Sequence, residues 1–213
     1  MEELRPGRAS DSTPLTAAGH AEIDLAAAAR AIEAFLQALG HPVDSDLQLK
    51  DTGRLVAAAF HDELLAGYRV NPAELLHDSI AASSTDLLVV RAVATTCICP
   101  HHLLPASGWV HIGYVPNGKI VGLGALSRLV NCWARRLILQ ETLCEEIALA
   151  LETHLGASAA GCIAEFAPMC LTARGERPHQ ARVTTVATRG RLQTEPQLRR
   201  EFFDFARVGE AAP

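Results

Sequence analysis

Thr-Cys-Ile-Cys-Pro-His-His occupies positions 96–102 and is the densest group of metal-binding side chains in the chain. It follows an apolar, β-branched run, and Pro100 would interrupt the backbone hydrogen bonds of a strand at that point. Cys99 and His102 form a Cys-x-x-His pair, a spacing that lets both side chains reach one metal ion around a turn. We therefore expect a metal site at the end of a strand.

One such pair cannot fill the tetrahedral shell that zinc prefers, so a further soft ligand is needed. Cys170 follows Pro-Met at the end of another apolar run and is the best placed by residue type and context. Two thiolates and one imidazole leave a fourth position open, which is typical of catalytic zinc. His101, next to a ligand, is the candidate acid–base group. Taken alone, the Cys-x-x-His pair could also be accidental.

Size and charge narrow the possible classes of function. The chain has 213 residues, of which 49% are hydrophobic, so it can bury one good core. Its formal net charge is -5, from 24 acidic and 19 basic residues, and we expect no nucleic-acid or membrane partner. Any phosphate site must therefore be local.

The N-terminus and the cysteines indicate the compartment. Residues 1–19 are rich in Pro, Ser, Thr and charge and lack the apolar core of a signal peptide, so we expect a disordered tail. No apolar run approaches the roughly 18 residues that a membrane span requires. Six cysteines without an export signal favour metal binding or packing over disulfides. The sequence predicts a cytoplasmic protein.

Hydrophobic periodicity predicts both helices and strands. Helices are expected over residues 21–39, 51–67, 125–136, 139–155 and 196–207, and strands over 87–94, 109–115, 119–123, 159–166 and 182–188. Asn117-Gly118 between two of these strands predicts a hairpin. The order of elements predicts an α+β domain with helices on one face of an antiparallel sheet.

Four separated motifs together resemble the GTP cyclohydrolase I family. They are Cys-Pro-His-His-Leu-Leu-Pro at 99–105, His-Ile-Gly-Tyr-Val-Pro-Asn-Gly-Lys-Ile-Val-Gly-Leu at 111–123, Ala-Arg-Arg-Leu at 134–137 with Gln140-Glu141, and Met-Cys-Leu-Thr-Ala-Arg-Gly at 169–175. The resemblance implies a tunnelling fold (T-fold) over residues 81–208, after an N-terminal helical region at 20–80. It also implies subunits joined in rings, two of which stack as a homodecamer with active sites between subunits.

The resemblance further implies a reaction in pterin biosynthesis. A zinc-activated water attacks C8 of the guanine ring of GTP, formate leaves, and a dihydropterin triphosphate forms. Matching positions give the zinc ligands and the acid–base histidine as Cys99, His102, Cys170 and His101. Gln140 and Glu141 match the pair that reads guanine, since a carboxylate can accept hydrogen bonds from the ring N–H and the exocyclic amine. The alternative for Glu141 is a solvent-facing helix residue.

Departures from the family pattern fall within the site. Pro168 stands where the family has a histidine that protonates the purine. Ala125 and Ala57 stand where lysines are expected, whereas the substrate-binding arginines are retained as Arg54, Arg128 and Arg174. Each lost cation removes a charge-assisted contact of roughly 1.5 to 3 kcal/mol. His179 could replace the missing acid or could be a surface loop residue.

These departures lead to three hypotheses. The first is a zinc cyclohydrolase that attacks C8 of a guanine-type substrate carrying fewer phosphates, and whose reaction could stop at ring opening. The second is an ordinary GTP cyclohydrolase I. The third is a non-catalytic, zinc-stabilised ring that binds a purine or a protein partner.

Overall fold

The structure, a computed structural model, describes residues 22–174 and 180–207, so the tail predicted at 1–19 and His179 lie outside the described residues. The chain divides into two compact units, residues 1–54 and 55–213. Each unit is described by itself below. Within the two described ranges, no helix combines the length and the apolarity that crossing a bilayer requires.

The first unit contains the first predicted helix, α1, at Leu25–Ala38. Asp24 caps it, because its carboxylate accepts a hydrogen bond of 2.8 Å from the backbone N–H of Ala27. The second helix, α2, begins in this unit at Thr52. A Cβ at Gly53 would lie 2.5 Å from the backbone oxygen of Ala29, so glycine allows the two helices to touch.

The second unit contains the remaining elements, and most of them match the predicted ones within a few residues. Helix α2 (Thr52–Ala59) continues as a π-helical turn (Phe60–Leu64) and a 3-10 turn (Ala66–Arg69). The further helices are α3 (Pro72–His77), α4 (Leu123–Ala134), α5 (Gln140–Thr153), α6 (Met169–Thr172), α7 (Arg191–Thr194) and α8 (Pro196–Arg207). The strands are β1 (Ser79–Ala81), β2 (Leu88–Ile98), β3 (Pro105–Val115), β4 (Lys119–Val121), β5 (Ala159–Pro168) and β6 (Val183–Gly190).

The main sheet is antiparallel, with strand order β2-β3-β5-β6. Strand β4 instead pairs with β1, with Ile120 opposite Ile80. The hairpin predicted around Asn117-Gly118 is therefore wrong. The physical reason for the error is that β3 is paired on both sides, by β2 and β5. Strand β3 therefore has no free edge to which β4 could bind.

One face of the main sheet carries the larger core. Val110, Ile112 and Tyr114 alternate along β3 and are fully buried, together with Leu129 of α4 and Ile147 of α5. The two-residue period of the strand and the helical spacing of α4 and α5 place these apolar side chains against each other. This packing confirms the predicted α+β class.

The opposite face carries a smaller core around α8. Val115 and Ile163 cluster there with Phe202, which is fully buried. A Cβ at Gly113 or at Gly161 would lie within 2.7 Å of the Phe202 ring, so both glycines make room for it. The prediction of helices on one face thus holds for α4 and α5 but not for α8.

Candidate metal centre

Strand register brings the predicted metal ligands to one end of the sheet. Ile98 of β2 pairs with Pro105 of β3, and the next residue of β3 pairs with Pro168 of β5. Cys99 follows β2 directly and Cys170 lies two residues after β5, so both emerge at the same end of the sheet, on either side of the start of β3. The sequence alone could not specify this register.

The turn after β2 folds His102 back toward Cys99. The backbone N–H of Cys99 donates to the oxygen of Leu104 at 3.0 Å, and that of Leu103 donates to the oxygen of Cys99 at 2.9 Å. Leu103 has φ 54°, in the left-handed region that non-glycine residues rarely adopt. The turn places Cys99 Sγ 3.8 Å from His102 Nδ1.

Helix α6 presents the third ligand. It is a single turn, closed by a 2.9 Å bond from the Ala173 N–H to the Met169 oxygen and by Thr172, whose hydroxyl donates to the Pro168 oxygen at 3.2 Å. Cys170 lies in this turn. One donor atom each from Cys99, His102 and Cys170 lies within 4.8 Å of the others.

This donor set fits zinc. Bonds of about 2.3 Å to sulfur and about 2.1 Å to nitrogen at a tetrahedral angle separate the two ligand atoms by about 3.6 Å. The spacing of Cys99 Sγ and His102 Nδ1 is close to that value. Three protein ligands leave a fourth tetrahedral position for a small molecule, as in catalytic zinc sites.

Local electrostatics distinguish the cysteines. Cys97 is a buried core side chain, and its sulfur is not among the donor atoms that converge. Burial raises the pKa of its thiol to about 12. Burial, and then the neighbouring Cys99 sulfur, raise the pKa of the Cys170 thiol, while Arg174 opposes the shift. Arg174 therefore lies close enough to Cys170 for its charge to act on that sulfur.

His101 lies beside the ligand set and outside it. Its ring centroid is 6.3 Å from that of His102, with the two rings almost perpendicular. Both imidazoles are exposed. His101 is thus free to meet a substrate next to the metal ligands.

The predicted guanine-reading pair lies at the start of α5, beside the turn that carries Cys99 and His102. Ile138 donates its backbone N–H to the Ile98 oxygen at 3.3 Å, which holds the approach to α5 against the residue before Cys99. Gln140 donates both side-chain amide hydrogens to backbone oxygens, whereas the Glu141 side chain is exposed and makes no hydrogen bond or ion pair within the described residues. The Glu141 carboxylate is available to a ligand.

The predicted phosphate-binding side of the site has fewer charged residues than the resemblance implies. Arg128 is exposed on α4, and Ala125 and Ala57, which replace the expected lysines, are both buried. Arg54 belongs to the first unit, where its guanidinium lies 3.8 Å from the carboxylate of Asp51. Neither alanine offers a charge to a phosphate.

A second feature of the site region was not predicted. A cleft of about 670 Å³ opens at the edge strand β2 and extends across β3 and β5. It includes Thr96, Ser107, Trp109, Arg135 and Arg182, but none of the three predicted metal ligands. We call it the β2 cleft. Its signal in the sequence was the set of polar and aromatic residues at alternate strand positions, facing away from the larger core.

Comparison with known proteins identifies the family. A family model described as GTP cyclohydrolase I matches residues 28–207. The chain belongs to the GTP cyclohydrolase I family. The T-fold predicted for the chain is therefore confirmed, and the antiparallel sheet with its helices agrees with it.

Curated members of the GTP cyclohydrolase I family cover most of the chain. The GTP cyclohydrolase 1 of Campylobacter lari is 36% identical over 175 residues, covering 82% of this chain and 91% of that protein. That of Rhodopirellula baltica is 35% identical, covering 86% and 80%. That of Campylobacter concisus is 41% identical over 141 residues, covering 66% and 74%.

Proposed function

We propose that this chain is a zinc-dependent cyclohydrolase of the GTP cyclohydrolase I type, acting on a guanine-type purine. Water adds at C8, a C–N bond of the imidazole ring breaks, and hydrolysis of the second C–N bond releases C8 as formate. The observation that carries the proposal is the convergence of Cys99, His102 and Cys170 at one end of the sheet. The start of α5, with Glu141 exposed, lies next to it.

The proposal assigns a role to each side chain. Cys99, His102 and Cys170 would hold the zinc ion, which when bound supplies a Lewis acid that acidifies water. His101 accepts or returns a proton close to these ligands. Glu141 orients the purine by accepting hydrogen bonds from its ring N–H and exocyclic amine. Gln140 belongs to the same guanine-reading pair by resemblance, and its side-chain amide bonds to the sheet.

We further propose that the substrate carries fewer phosphates than GTP. Arg54, Arg128 and Arg174 are the cations assigned to phosphate by resemblance. The two expected lysines are absent, and the loss of two charge-assisted contacts of roughly 1.5 to 3 kcal/mol each weakens triphosphate binding by orders of magnitude. The steps after ring opening need protons delivered to the ribose side, and Pro168 cannot carry a proton, so the reaction is proposed to stop at ring opening or deformylation.

The proposed assembly is a homo-oligomer, a decamer by resemblance to the family. Strands β2 and β6 are the edges of the main sheet, and their free backbone groups can pair with another subunit. The β2 cleft lies along one of these edges. Paired thiolate ligands need reduced cysteines, which supports our proposal of a cytoplasmic enzyme.

A substrate panel tests the proposed function. The zinc-loaded protein is incubated with GTP, GMP, guanosine and guanine, while purine absorbance, formate release and pterin fluorescence are followed. We expect loss of the purine absorbance of a substrate with fewer phosphates, accompanied by formate if the reaction reaches deformylation, without pterin fluorescence. Rapid formation of a fluorescent pterin from GTP would contradict the substrate proposal. Zinc binding without turnover of any of the four would contradict the enzymatic proposal and favour a non-catalytic ring.

A further inference from the structure

The side-chain amide of Gln140 connects three elements of the fold. Its Nε2 donates one hydrogen bond of 2.9 Å to the oxygen of Ala164 and another of 2.8 Å to the oxygen of Val183. These oxygens belong to β5 and β6, which are neighbours in the main sheet. Both amide hydrogens are therefore used in tying the first residue of α5 to two strands.

Thr185 strengthens the same connection from the strand side. Its hydroxyl donates to the backbone oxygen of Gln140 at 3.4 Å and lies 3.3 Å from the sulfur of Cys144, one turn further along α5. The first turn of α5 is thus held on β6 by both a side chain of the helix and a side chain of the strand. Such bonds fix the helix along its axis as well as its distance from the sheet.

Glu141 depends on this connection for its position. No side chain caps α5, because the N-cap residue is Leu139, and the Glu141 carboxylate makes no hydrogen bond or ion pair within the described residues. Its carboxylate can be placed only by the backbone that carries it. A carboxylate that accepts two parallel hydrogen bonds tolerates little displacement, since about 0.5 Å already degrades a preorganised site.

We propose that Gln140 is a positioning residue that sets the Glu141 carboxylate for two-bond recognition of a guanine-type edge. This inference rests on the proposed function and adds to it. With both amide hydrogens donated to the sheet, Gln140 acts on specificity mainly through Glu141. The role requires a side-chain atom that donates two hydrogen bonds. Leucine has no such donor, and glutamate at this position would place an oxygen against the two backbone oxygens.

A double-mutant cycle on substrate preference tests the proposal. The measured quantity is kcat/KM for guanosine divided by that for inosine, which lacks the exocyclic amine; the triphosphates are used if only they turn over. We expect the wild type to prefer guanosine by about tenfold or more. Glu141→Gln should remove most of this preference, Gln140→Leu should reduce it several-fold, and the double variant should match Glu141→Gln.

Gln193→Leu is the matched control. Gln193 also donates its amide to a backbone oxygen of β6, that of Thr188 at 2.6 Å, but from α7 at the other end of the strand. Its replacement should leave the preference unchanged. If the effects of Gln140→Leu and Glu141→Gln multiply, Gln140 contacts the substrate independently and the proposal is wrong. A lower melting temperature with an unchanged preference would reduce Gln140 to a structural role.

Hydrogen exchange separates failure of this inference from failure of the proposed function. If the wild type turns over none of these substrates, the proposed function fails, but the positioning role is still measurable. Backbone amides of residues 143–146, the first that form hydrogen bonds within α5, should then exchange faster in Gln140→Leu than in the wild type and in Gln193→Leu. Unchanged exchange in this segment would overturn the positioning role whatever the substrate.

Discussion

The proposed metal-binding end of the site and its proposed phosphate-facing side match the family resemblance to different extents. At the metal end, Cys99, His102 and Cys170 are all present and their donor atoms converge. On the phosphate side, two buried alanines replace lysines that the family resemblance leads us to expect. In our proposal, the residues for the ring chemistry are therefore complete, whereas those for a charged tail of the substrate are reduced.

The largest effect is expected from replacing one of the predicted metal ligands. Cys99→Ser should remove stoichiometric zinc and lower turnover by more than ~100-fold, since loss of a group that merely supports a ligand already costs 10- to 100-fold. Zinc content by elemental analysis and formate release measure the two effects. Cys132→Ala is the control, because this buried cysteine lies in α4 and outside the ligand set. Full activity of Cys99→Ser would refute the proposed metal centre.

The second-largest effect is expected from weakening recognition of the purine ring. Glu141→Gln should lower kcat/KM by about 10- to 100-fold, because hydrogen bonds to a charged group contribute roughly 1.5 to 3 kcal/mol. Steady-state kinetics on the best substrate provide the measurement. Glu145→Gln, an exposed carboxylate one turn further along α5, should change little. Equal effects of the two variants would mean that Glu141 is only a solvent-facing residue.

A smaller effect is expected from a substitution on the phosphate-facing side of the site. It sharpens the comparison of that side with the metal-binding end. Arg174→Ala should lower kcat/KM for GTP by about tenfold, in line with one charge-assisted contact, and for guanosine by less than about threefold. Arg199→Ala, on α8, is the control. A large loss with guanosine would show that Arg174 serves the ring chemistry, where its charge already acts on Cys170.

The sequence predicted the ligand types better than the contacts that place them. Ligand spacing and motif order pointed to Cys99, His102 and Cys170, because these depend on local chemistry and on resemblance. The bonds from Gln140 to Ala164 and Val183 were not predictable, since they require the register of β5 and β6 and the position of α5 together. The false hairpin at Asn117-Gly118 has the same cause: a local turn signal says nothing about which strand edges are already occupied.

The smallest effect is expected from a substitution that relaxes the backbone of the turn between Cys99 and His102. Leu103 is exposed and has φ 54°, where a side chain costs about 1 to 2 kcal/mol and glycine none. Glycine loses more chain entropy on folding, by roughly 0.5 to 1 kcal/mol, so Leu103→Gly should raise the free energy of unfolding slightly, by up to ~1 kcal/mol.

Denaturant unfolding of the zinc-free protein measures this change without a contribution from the metal. The control is Leu123→Gly, an exposed leucine in the first turn of α4, where glycine should destabilise. Destabilisation by Leu103→Gly equal to that of the control would mean that the turn stores no strain. In that case the left-handed conformation of Leu103 would not oppose the turn that brings Cys99 and His102 together.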